Sequence, residues 1–166
     1  MSNQFVERIP VILLQEFKNK QNLFSCVYTY WSNGLYREFF KIFTADKSIF
    51  DILRDGLLFS VDVVANQNGI LESDLVLQKQ EVPEAFEKAR LFTLRLIDLI
   101  TSAVQRAVNR HELADSTDPR TITDSYFFTY YGVESAIRTS LNIWNDRNYE
   151  EYIRNYIEML RKEYAP

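Results

Sequence analysis

One histidine stands in the whole chain, His111, and an arginine precedes it at a short fixed interval: Arg106-Ala107-Val108-Asn109-Arg110-His111. Histidine is the one side chain whose ordinary titration falls near neutral pH, so it can both give and take a proton. A guanidinium offers a planar fork of positive charge that fits an oxyanion. Proton transfer beside a fixed positive charge is therefore the chemistry these residue types allow. The bland alternative is equally concrete. On a continuous helix His111 shares the core-facing stripe of Ile100, Val104, Ala107 and Val108, and Arg106 shares a solvated face with Arg95, Ser102 and Asn109.

Other chemistries are poorly served. Zinc needs several histidine or cysteine ligands, and the chain has one of each, His111 and Cys26, far apart in sequence. One histidine cannot build the paired Glu-x-x-His motifs of a di-iron bundle. No phosphate loop or dinucleotide fingerprint occurs, and no Ser-His-Asp arrangement is readable. Asp51 and Asp55 lie four apart, which a solvated helix face explains. Cys26 sits in an aromatic run and reads as a small buried hydrophobe. No cofactor and no metal are expected.

The elements that must position Arg106 and His111 are helical. The 166 residues contain only four glycines and four prolines, too few turn formers for an all-β fold. Apolar residues make up 46% and charged residues 25%, an ordinary balance for a globular protein. The net charge of −4 gives no general attraction for nucleic acid or an anionic membrane. No apolar run is long enough to span a membrane, and the N-terminus lacks a basic region and cleavage site. The expected compartment is the cytoplasm.

The clearest helical period runs from Pro83 to His111 and predicts a long central helix over 83–111. Its five basic residues, Lys88, Arg90, Arg95, Arg106 and Arg110, face three acidic ones, a mildly cationic stretch in an acidic protein. Further helices are predicted over residues 3–20 (with Pro10 placing its start near Ile9), 35–43, Lys47–Ala65, Ser125–Trp144 and Tyr149–Glu163. The segment 21–34 is apolar nearly all round and is predicted to stop at Asn33-Gly34. Thr44 or Asp46 is the expected cap of the helix from Lys47, and Thr123 or Asp124 that of the helix from Ser125. Gly56 lies inside a helix, where it permits a close approach. Residues 70–82 stay open between a helical turn and an extended segment. The whole is expected to be all-α, one domain over 1–166, a single bundle of five to seven helices.

An arginine, four residues and a histidine near a helix end resemble the signature of the HEPN family, which are small all-α domains, usually dimeric. Many members are metal-independent endoribonucleases of toxin or defence systems. The resemblance covers six residues together with the helical architecture and the length. It implies that His111 is the acid or base as a 2′-hydroxyl attacks the adjacent phosphate. Arg106 would stabilise the phosphorane, and Asn109 would be a polar helper. The site would be composite, built from two copies. This chain carries Ala107 where the family commonly has a polar residue. Five residues on a continuous helix rotate about 140° beyond a full turn, so the site requires a helix end between Arg106 and His111 or a second chain. The alternative is a non-catalytic all-α module. Phe127-Phe128 beside Tyr130-Tyr131 cannot all face one core. Such aromatics favour a homodimer or a partner protein.

Overall fold

In the computed structural model the described residues are 20–66, 82–138 and 149–166. They form five helices and no strand: α1 (Lys20–Phe43), α2 (Ile49–Asn66), α3 (Pro83–Asn109), α4 (Pro119–Arg138) and α5 (Tyr149–Tyr164). The all-α expectation holds over these residues. Residues 3–19 of the first expected helix, residues 70–81 and the end of a later helix over 139–144 lie outside them. Contacts divide the described chain into two units, residues 20–35 with 82–93 and residues 36–66 with 94–138 and 149–166.

In the first unit, Tyr28 of α1 is buried with Val82, Ala85 and Ala89, and Phe24 and Trp31 pack against them. The small Ala85 and Ala89, four apart, leave room for the Tyr28 ring. Lys88 donates to the buried Ser25 hydroxyl at 2.6 Å and pairs with Glu84 at 3.1 Å. The hydrogen bond from Lys88 and a further one from Ser25 hold the Glu84 carboxyl below its ordinary value.

The second unit is built on α2, which packs against both α4 and α5. Ile52, Leu53 and Leu57 of α2, Ile122 and Tyr126 of α4, and Ile153, Ile157 and Leu160 of α5 are all buried. Each follows the three-to-four spacing of a helix face, and full burial of one such side chain contributes about 1.5–3 kcal/mol. The α3 stripe from Leu96 through Ile100, Val104 and Ala107 is buried as its period predicts. Thr101 of α3 and Thr123 of α4 share a hydrogen bond at 3.0 Å. The Ala114 amide donates to the Tyr164 carbonyl at 2.8 Å, which sets the end of α5 beside the approach to α4.

Several boundaries differ from the sequence reading. Asn33-Gly34 does not stop a helix. Gly34 sits inside α1 with ordinary helical φ, and apolar residues on both sides carry the helix through. α2 begins at Ile49 and is capped by Ser48, which accepts from the Phe50 amide at 3.3 Å; Thr44 instead donates to the Phe40 carbonyl at 2.6 Å, and Asp46 is fully outside the helix. α4 begins six residues before Ser125. Asp118 accepts from the Arg120 amide at 3.0 Å, and Pro119 fills the first helical position, where its missing N–H costs nothing. That amide and the Thr121 hydroxyl hold the Asp118 carboxyl below its ordinary value. Cys26 is exposed rather than buried. Gly56 does mark a close approach. A Cβ there would lie 2.7 Å from the Tyr126 hydroxyl and 2.8 Å from the Phe43 ring.

Candidate functional site

The end of α3 decides what Arg106 and His111 can do. The helix stops at Asn109, before His111, so the predicted run to 111 is two residues too long. His111 takes φ 56°, a left-handed conformation. Its amide donates back to the Val108 carbonyl at 2.9 Å, and the Glu112 amide donates to Ala107 at 2.9 Å. These two bonds are the Schellman pattern, with histidine where glycine is usual. The turn lifts His111 off the core-facing stripe, and its side chain is 77% exposed. Leu113 enters the core in its place.

The three expected site residues are each engaged elsewhere. Arg106 is half-buried, and its guanidinium donates to the Phe43 carbonyl at 2.6 Å. Phe43 is the last residue of α1, so the arginine satisfies a carbonyl that the helix leaves open. A hydrogen bond from a charged donor is worth about 1.5–3 kcal/mol. That bond uses one of the five guanidinium N–H groups and anchors the side chain at the end of α1. Asn109 accepts from Gln105 at 3.0 Å. The His111 Nδ1 lies 3.0 Å from an Asp115 carboxyl oxygen. No two of Arg106, Asn109 and His111 share a hydrogen bond, so within one chain they are not brought together.

The neighbourhood of His111 is acidic. Glu112, Asp115 and Asp118 follow it, and Arg110 is drawn toward Asp46 at 3.6 Å and Glu112 at 3.9 Å. The second Glu112 oxygen accepts from the Ile49 amide at 2.9 Å, closing the N-terminus of α2.

A second candidate surface lies on α4 and α5. Ser125 and Tyr156 hydroxyls meet at 3.0 Å across the seam between the two helices. Burial pushes the Tyr156 phenol above its ordinary value. Large apolar side chains of both helices stand open to water: Phe128 is 79% exposed, Tyr152 53% and Met159 54%. Helical spacing alone would put Phe128 and Tyr152 on the apolar faces of their helices. Their neighbours Tyr126, Ile153 and Ile157 fill the core instead. Phe127, Tyr130 and Tyr131 continue the aromatic surface of α4, with Tyr130 and Tyr131 centroids 5.0 Å apart. Gly132, one turn beyond Phe128, has no atom within 4 Å of where a Cβ would sit. The doublets of adjacent aromatics were the sequence signal for this face. Which ring turns outward depends on α4 having neighbours on two sides, and one helix's periodicity does not encode that.

A cavity of about 10 Å3 between α2, α4 and α5 is lined by Leu57, Val61, Val133, Glu134 and Ile153. It has room for one water, not for a substrate. Among the described residues no group of three His, Cys, Asp or Glu side chains is placed to hold a metal ion, and no helix is long and apolar enough to cross a membrane. No protein-family model, curated protein or solved structure matches this chain.

Proposed function

We propose that this chain is a non-catalytic helical interaction module that docks a protein through the outward face of the α4–α5 pair. The observation that carries this reading is the exposure of Phe128 on α4 and of Tyr152 and Met159 on α5, two helices joined by the Ser125–Tyr156 bond. Exposed aromatics and methionine are the composition of interface centres, and exposed apolar side chains mark a contact surface where they form one patch. Arg106 and Glu112 fit the same reading, because each is spent on closing the end of a neighbouring helix. The test is a photocrosslinking amino acid at position 128 of the full chain, with the exposed Ser116 position as control. A discrete crosslinked product from 128 and not from 116 is the expected result. Equal yields from the two positions overturn the reading.

A second reading is supported by one observation: Asp115 holds His111 Nδ1, and the other ring nitrogen belongs to a side chain open to solvent. A carboxylate-oriented imidazole is a competent acid or base. On this reading the chain is a HEPN-like metal-independent endoribonuclease, with His111 as acid or base. Arg106 and Asn109 would come from either of two copies at a composite site. RNA cleavage in the presence of a chelator, lost in His111→Ala, is its expected outcome. Equal cleavage by both proteins sinks it.

A further inference from the structure

We propose that the occupant of the α4–α5 face is a second copy of this chain, related by a two-fold axis that passes between Phe128 and Gly132. The proposal rests on the docking face above and deepens it by naming the partner. Phe128 and Gly132 are four residues apart on α4, so both lie on its outward side, one turn from each other. One is a ring standing 79% exposed and the other a position with open space above its backbone. A knob and a notch one turn apart on the same helix face are complementary to themselves when the helix is turned end over end. Each copy's Phe128 then sits over the other's Gly132, which is the isologous geometry of a two-fold dimer. The glycine lets the two α4 backbones approach closely at the crossing.

The rest of the face supports the same partner. The Ser125–Tyr156 bond ties α4 to α5, and Tyr152 and Met159, four before and three after Tyr156, share a neighbouring stripe of α5. These are the side chains that would cover the paired Phe128 rings. Two copies of a chain with net charge −4 repel one another, and an uncharged contact surface adds nothing to that repulsion. Phe128, Tyr131, Gly132, Ser135, Tyr152 and Met159 carry no charge. Added salt screens the repulsion between copies and strengthens the contact, whereas binding to a nucleic acid would weaken.

The experiment is sedimentation of the full chain over a wide concentration range, wild type against Gly132→Leu. Leucine is a better helix former than glycine, and among the described residues an added Cβ at position 132 meets nothing within 4 Å. The expected result is a reversible dimer that Gly132→Leu weakens at least about tenfold, the effect of blocking an interface centre. In a Cys26→Ser background, a mixture of Phe128→Cys and Gly132→Cys chains forms the crossed disulfide in preference to either matched pair. The two copies of position 128 are offset along the axis by about 6 Å, while 128 and 132 face each other. A chain that stays monomeric, a dimer indifferent to Gly132→Leu, or a preference for matched disulfides each overturns the proposal. The photocrosslink at 128 separates its failure from that of the docking face. A product at a mass other than twice the chain overturns the second copy and leaves the face standing. No product, or one confined to a single chain, overturns both.

Discussion

At the scale of the residue, the left-handed turn at His111 is the most informative feature of the chain. A left-handed non-glycine residue carries about 1–2 kcal/mol of backbone strain. The expected effect of His111→Gly is therefore a gain of roughly 0.5–1 kcal/mol, read as a higher midpoint in thermal or denaturant unfolding. A loss of stability instead would show that the imidazole–Asp115 contact outweighs the strain. The same variant removes the only imidazole, so it separates folding from any ribonuclease activity. The residue types at this end were legible in the sequence, but its period carried the helix on to His111, two residues past the end it has. The partners were not legible. Phe43 lies 63 positions from Arg106, and nothing local to either residue encodes that the guanidinium closes the end of α1. Asp115 was legible only as part of a polar loop.

At the scale of the element, two glycines inside helices, Gly34 and Gly56, have opposite surroundings. At Gly34 a Cβ would meet nothing within 4 Å, while at Gly56 it would meet Tyr126 and Phe43 below 3 Å. Helix propensity alone favours alanine at both by about 1 kcal/mol. We expect Gly34→Ala to raise stability by about 0.5–1 kcal/mol and Gly56→Ala to lower it by about 1–3 kcal/mol, the range of an overpacked core. Equilibrium unfolding of the two variants checks both signs. Burial pushes the Tyr126 phenol well above its ordinary value, so this ring stays neutral. The helices themselves were readable where one face is plainly apolar, as in α3 and α5. Starts were read less well. Ser48 and Asp118 are ordinary cap residues, but Thr44, Asp46, Thr123 and Asp124 compete with them in sequence. The choice falls to whichever start lets Ile49 and Ile122 reach the core.

At the scale of the whole molecule, the all-α class followed from the scarcity of turn formers and the recurring three-to-four spacing. The outward face of α4 and α5 was only half legible: the aromatic doublets announced that some rings must leave the core, and the packing of α2 against both helices selected Phe128 and Tyr152. The loop between α1 and α2 has a further consequence, in the order of synthesis. Its two ends are completed by residues made much later, the last carbonyl of α1 by Arg106 and the first amide of α2 by Glu112. A ribosome adds about 5–20 residues per second. For several seconds, then, the nascent α1–α2 hairpin has only water at those two positions. The corner closes when the end of α3 emerges, and a chain stalled before Glu112 leaves it open.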